Sequence, residues 1–362
     1  LKAFLSLTLV RLASLSLILL LFGTNTSYAT VVEFNSTGGT TSTNGLHFYI
    51  EDTTHLQVKR LNNTGQVYDP SRIPPHARLD NGIFIRANGR VYGPSFALTS
   101  TSYTPNGGMY NTYSISAVSP ANPAAYGDQQ TATHNFGITS GPQVTVVWKY
   151  TIPFDFITAE VTLVIPPSYA VSASNPVRYY HAVDTYLGGS DNGCGVRFTD
   201  GSGKLVVGTY PPTGTTCPSS TSIPSGVSVV ESFRERSGLS FSHYCAALFS
   251  SLFSNVSPNC SVAQTAVMSD TISTTYQDTS IGIEYDFTAA GTYTFSYDFV
   301  VGSPNVPPYD HLEIRHPGTA NLCVTDFTVL ACTSTTVPCP TANIVNTGTL
   351  TGSIKNTPAA PA

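Results

Sequence analysis

Two neighbouring stretches of strict alternation constrain this chain more than anything else in it. Val144, Val146, Trp148, Tyr150 and Ile152 fall on one side of the first, with Thr145, Val147, Lys149 and Thr151 on the other. Ile157, Ala159, Val161, Leu163 and Ile165 repeat the pattern opposite Thr158, Glu160 and Thr162, and Pro153-Phe154-Asp155 joins the two. A side-chain period of two belongs to strands, and a slip of one residue would turn the whole apolar set towards water. The two stretches therefore read as an antiparallel pair with one buried face. Trp148 lies in that face and reads as core packing, in preference to a sugar-stacking platform.

Further strands follow the same logic. Residues 47–50, 55–61, 83–87, 90–92, 175–187, 204–210 and 227–236 are rich in β-branched and aromatic residues, with shorter strands at Val31–Phe34 and near Tyr103 and Tyr113. Asn88-Gly89 between two apolar runs predicts a hairpin of 83–87 with 90–92. From 95 to 136 the pattern weakens into Pro/Gly/Asn-rich loops. Residues 281–287 and 292–301 read as a closing hairpin across Ala289-Ala290-Gly291, with Tyr293, Phe295, Tyr297, Phe299 and Val301 on one face. Residues 243–256 are the one helical candidate, because Cys245, Leu248, Phe249, Leu252 and Phe253 fall on one stripe.

Charged residues make up only 10% of the chain, as expected of an exported protein whose fold rests on sheets. Residues 1–29 read as a secretory signal peptide, with Lys2 and Arg11 before an apolar core and Ser27-Tyr28-Ala29 as the cleavage site. The net charge is −5, and removing Lys2 and Arg11 takes it to −7. That balance argues against nucleic acid and anionic membranes as partners, and no membrane span is expected once the signal is removed. A large domain is expected over 30–303, a Pro-rich linker over 304–308, a second β module over 309–354 and a Pro/Ala tail over 355–362.

Val183 to Cys194 is the stretch best suited to a ligand: a strand end, a Gly-Gly turn and a cysteine. Asp184, Asp191 and Asn192 could offer oxygen ligands to calcium, the one cofactor the chain brings into question. Three such side chains fall short of the repeating acidic spacing of a calcium loop, so a turn held by Asx side chains is the simpler reading. A glycan-cleaving alternative needs two converging carboxylates, and Glu231, Glu235, Asp184, Asp191 and His181 are its richest source. Salt bridges with Arg234 and Arg236 explain the two glutamates without chemistry. No catalytic residue is therefore assigned. His243 reads as a helix-start or core histidine.

All seven cysteines follow residue 190. In an oxidising compartment Cys194–Cys217 and Cys245–Cys260 pair across a strand and across the helical candidate. Cys323 and Cys332 would lie at opposite ends of one strand, too far apart to bond. Cys332–Cys339 then pair across a Thr/Pro turn, and Cys323 is left as a free thiol, its partner expected in a missing half of that module.

Two regions resemble known surface proteins. Residues 183–195, 230–238 and 280–285 resemble a large β-sandwich domain of bacterial exported multidomain surface proteins. The segment from Tyr309 to His316, with Leu322-Cys323 and Ala331-Cys332, is similar to an Ig-like module of proteins associated with the mannose-sensitive haemagglutinin pilus. The resemblance implies a secreted or cell-surface location and adhesion, with no catalytic residues. The expectation is an all-β protein: a large antiparallel, super-sandwich-like β-sandwich with one short helix, followed by a partial Ig-like β module. It would work as a non-catalytic adhesin or binding protein for an extracellular glycan or surface protein. A carbohydrate-active enzyme on a β super-sandwich (a glycan hydrolase, lyase or mutarotase) is the alternative.

Overall fold

In a computed structural model of the chain, the residues described are 31–41, 43–61, 81–94, 96–97, 102–103, 105–116, 118–119, 128–187, 189–227, 229–253, 260 and 267–302, with the backbone of 311–315, 325–332 and 344–352. The chain is an all-β sandwich. Its first strands are β1 (Val31–Phe34), β2 (His47–Glu51), β3 (Leu56–Lys59), β4 (Asn81–Ala87) and β5 (Arg90–Tyr92), then the two-residue β6 (Phe96–Ala97) and β7 (Ser102–Tyr103). There follow β8 (Asn111–Ile115), β9 (Gln129–Gly137), β10 (Gln143–Thr151), β11 (Phe156–Ile165), β12 (Val177–Asp184), β13 (Asn192–Thr199), β14 (Leu205–Tyr210), β15 (Val230–Gly238) and β16 (His243–Leu248). The last are β17 (Thr271–Ile272), β18 (Gln277–Phe287) and β19 (Gly291–Gly302), and then β20 (His311–Arg315), β21 (Thr325–Cys332) and β22 (Ile344–Gly352).

One layer runs β5-β4-β12-β18, with β16 and β17 beyond β18. The other runs β13-β14-β15-β19-β11-β10-β9-β8. Two residue pairs, Asn192 with Asp278 and Gly193 with Gln277, stitch the layers together at a corner. The inner faces meet through aromatic residues: the Tyr179 and Tyr297 hydroxyls are 2.7 Å apart, and the His181 ring lies 4.7 Å from Phe233. The small sheet β1-β2-β3 packs against β9 and β10, where Leu46 N donates to Tyr150 Oη at 2.7 Å and Asn35 N to Gln130 Oε1 at 2.8 Å.

The alternating pair is seated as its period requires. Val146, Trp148, Tyr150, Ile157, Ala159 and Leu163 have no exposed surface, while β10 buries every second residue. The Asn88-Gly89 hairpin forms between β4 and β5, with Asn88 and Gly89 both at positive φ.

Three expectations are corrected. β18 and β19 do not form a hairpin. β18 pairs with β12, β13 and β16, whereas β19 pairs with β11 and β15, so Ala289-Ala290-Gly291 crosses from one layer to the other. The helical candidate begins as strand β16, with one helical turn at Phe249–Leu252. Its stripe was coincidental, since Cys245, Ala246 and Ala247 are buried in succession between two packed surfaces. The loop expected through 136 contains the nine-residue β9, whose inward side chains include Gln130 and His134.

Two satellite cores lie outside the layers. Behind the first, Phe84, Tyr180, Ala182, Cys245, Leu252 and Met268 cluster around the Cys245–Cys260 disulfide, whose Cα atoms are 6.0 Å apart. Behind the second, Cys194, Val196, Tyr210 and Val300 pack under Ile223 and Val227, tied by Cys194–Cys217 at 5.5 Å. Both bonds match the sequence reading, and they fit folding in an oxidising compartment. Strands β20, β21 and β22 form an antiparallel meander. Cys323 and Cys339 lie outside the described residues, as do the signal segment, the linker and the tail, so the Cys332–Cys339 pair and the free thiol lie there too.

Candidate functional site

The stretch that ends β12 splits its candidate ligands. Asp184 is buried on the β12 side chain row that carries Arg178, Tyr180 and Ala182, whereas Asp191 is exposed in the loop and Asn192 opens β13. The loop is closed by its own backbone and hydroxyls: Leu187 and Ser190 exchange backbone bonds, Asn192 N donates to Ser190 Oγ at 3.0 Å, and Thr279 N donates to Asp191 O at 3.0 Å. The bonds that hold this turn are those of the backbone and the Ser190 hydroxyl, in place of the Asx side chains expected from the sequence. The acidic neighbour of Asp191 is Asp278, which sequence reasoning missed because 87 positions separate them (278 − 191). Burial, and then the charge of Asp191, push the Asp278 carboxyl up to about 6. Among the described residues, no group of three or more His, Cys, Asp or Glu side chains could hold a metal ion.

Apart from the exposed Asp191, the residues of the hydrolytic alternative are turned inward. His181 has no exposed surface and sits between Asn81 Oδ1 at 2.6 Å and Tyr297 Oη at 2.9 Å; burial alone lowers its pKa to about 3. Glu235 is 8% exposed and accepts from Phe241 N at 2.8 Å and Leu205 N at 3.2 Å. Glu231 accepts from Tyr186 N at 3.4 Å. Arg234 and Arg236 do form ion pairs, but with Asp200 and Asp298: Arg234 Nε lies 2.6 Å from Asp200, and both guanidiniums reach Asp298 at 3.2 and 3.3 Å. The glutamates therefore serve main-chain amides, a role invisible to charge pairing along the sequence. His243 is half-buried on a strand and lies 3.3 Å from Asp270.

A second buried charge cluster sits behind the first layer. Arg178 Nε donates to Asp286 Oδ1 at 2.9 Å and lies the same distance from Glu284 Oε1. Met268 N donates to Glu284 Oε2 at 2.6 Å. Burial, followed by the Asp286 carboxylate, pushes the Glu284 carboxyl up to about 9, so it stays protonated at neutral pH. Glu284 and the adjacent Tyr180 are both fully enclosed, which makes the cluster structural.

The outer face of β8, β9, β10, β11 and β19 is different. Ladder registers place Ser114, Asn135, Thr145, Thr162 and Thr294 in one row across five strands. The next row holds Thr133, Val147, Glu160 and Ser296, and the next Thr131, Lys149, Thr158 and Asp298. Thr145 Oγ1 donates to Asn135 Oδ1 at 2.7 Å, Asn135 Nδ2 donates to Ser114 Oγ at 2.6 Å, and Lys149 pairs with Glu160 at 2.7 Å. Tyr113, inserted at the β8 bulge beside Ser114, is the most exposed large hydrophobic side chain among the described residues, at 54%. With strands of about 30 Å spaced about 4.8 Å apart, these rows form a broad face whose exposed part is rich in hydroxyl and amide groups.

No family model matches the chain, and no curated protein matches it. Among solved structures, a bacterial glucoamylase complexed with acarbose is similar at TM-score 0.41 and 9% identity, over 76% of this chain and 32% of that one. Heparinase III follows at TM-score 0.33 and 6% identity, over 85% of this chain and 40% of its own. The heparan sulfate lyase HepC from Pedobacter heparinus follows at 0.31 and 8%, over 90% and 43%. The chain spans less than half the length of each.

Proposed function

We propose that this is an exported, non-catalytic binding protein of the bacterial surface or extracellular medium, which holds an extended glycan on the outer face of its second layer. The observation that carries this reading is a contrast in exposure. In the row Ser114, Asn135, Thr145, Thr162 and Thr294 every side chain is at least partly exposed, while Glu231, Glu235, His181 and Glu284 are buried and already bonded. Residues 1–29 serve as the export signal, and the two disulfides fit that destination. The module at 309–354 is an Ig-like spacer in this reading, holding the sandwich away from its anchorage. Surface proteins are the second class of partner, with the same face as their seat.

A glycan array probed with the mature chain, with and without calcium, tests the proposal. Binding that leaves the glycan intact and ignores the ion is expected. Shortened or eliminated glycan products would favour the enzymatic alternative, and calcium-dependent capture would return attention to Asp184, Asp191 and Asn192.

A further inference from the structure

We infer that the depression at the β15 bulge is a subsite for one uncharged sugar unit of a neutral polysaccharide; this rests on the glycan-binding reading and narrows it. Between Glu235 and Gly238 the register of β15 against β19 shifts, so Arg236 and Ser237 together oppose Ser296. Such a bulge bends its strand away from the sheet. Gly238 holds the bend at φ +88°, and a Cβ there would meet Thr294 O at 2.5 Å. The result is a depression of about 280 Å³ beside the flat rows, lined by Val147, Glu160, Thr162, Ser237, Thr294 and Ser296 among others. Small-molecule pockets usually begin near ~300 Å³, so one ring fits and an oligomer does not.

The lining specifies the occupant. Thr162 and Thr294 carry hydroxyls with no hydrogen-bond partner among the described residues, and the Ser237 and Ser296 hydroxyls lie 2.9 Å apart at the rim. Lys149 Nζ holds Glu160 through Oε1 at 2.7 Å, which leaves Oε2 to accept from a ligand hydroxyl. Lys149 is paired with Glu160, and Arg236 of the bulge is paired with Asp298, so with a net −5 on the chain no surplus positive charge offsets a sulfate or uronate. Donors and acceptors in near-equal number, with no net charge, fit the vicinal hydroxyls of a neutral hexose.

Affinity electrophoresis of the mature chain in native gels tests this, using soluble α-1,4-, β-1,3- and mixed-linkage glucans, with dextran sulfate as the anionic probe. Retardation by at least one neutral glucan and none by dextran sulfate is expected. Glu160→Gln with Thr294→Val should weaken that retardation about tenfold at an unchanged melting temperature. If Thr133→Val with Thr145→Val weakens retention but the first pair does not, the subsite is overturned and the face survives. Wild-type protein that runs freely through every neutral glucan overturns both, and retention by dextran sulfate overturns the choice of a neutral ligand.

Discussion

The outer faces of the two layers are finished in opposite ways. Behind β4, β12, β18 and β16 the sheet is covered: Phe84, Tyr180 and Ala182 lie beneath Leu252, Phe253 and Met268, a disulfide pins the cover, and Arg178 and Glu284 are buried with them beside the half-buried Asp286. Outside β9, β10, β11 and β19 the row from Ser114 to Thr294 is left at least partly exposed, and cover reaches only Ser296, Thr158 and Asp298, which lie against Ser237, Arg234 and Arg236. A sheet face left to water must be polar, and this one is; a face that carried apolar groups had to be closed. Titratable groups with displaced pKa values often mark active sites. Here, apart from the half-buried Asp278 at the corner beside Asp191, they mark the covered face and the inner core, and the exposed row of the second layer is built from side chains that do not titrate near neutrality.

Mutations can break this contrast. The largest effect should come from the covered side. Arg178→Met strips Asp286 of its cation inside a partly buried cluster, and removing one partner of a buried pair typically costs about 3–5 kcal/mol. The denaturation midpoint should fall accordingly; a loss of only a few tenths would mean that the cluster is open to water. Replacing Cys245 and Cys260 with Ala is next. The bond spans 15 residues, and closing a loop of that size is worth about 3 kcal/mol. Melting curves should drop without any change in binding.

The dependence on pH sharpens the comparison. His181 and His134 titrate near 3 and 4 in the native state, both lowered by burial from 6.5. As pH falls below 6.5 the unfolded chain takes up protons that the native state refuses, so stability is lost towards pH 3. Glu284 acts in reverse: its native value of about 9 lies above the ordinary 4.5, so its contribution is complete below pH 4.5 and is lost as pH rises towards 9. Melting temperature measured against pH should form a dome, and Glu284→Gln should flatten only its alkaline limb. An alkaline limb unchanged in that variant would contradict the protonated state of Glu284.

Much of the architecture was legible because one residue in two is apolar along β10 and β11, and because Asn88-Gly89 leaves a hairpin little choice. β9 was not, since Gln130 and His134 occupy inward positions where a pattern search expects apolar residues. The crossing between β18 and β19 escaped for another reason: a three-residue connection between two alternating strands reads alike whether the chain turns back beside itself or passes to the facing sheet. The carboxylates were visible, but their partners were main-chain amides, six and 30 residues away for Glu235 and 45 for Glu231, and an amide carries no signature in the sequence. The exposed rows depend on the registers of five strands, which no single strand carries.

The smallest stability effect should fall on the bare face. Thr145→Val with Thr162→Val removes surface hydroxyls, and such changes are usually within about 0.5 kcal/mol.

Replacing Thr145 and Thr162 together with Arg is the most direct test, because it puts bulk and charge at the centre of the bare face without touching a buried group. On the same glycan array as the wild type, the variant should keep its melting temperature and lose every bound glycan. Undiminished binding would show that the ligand sits elsewhere, and that the open face of the second layer is only a solvated surface.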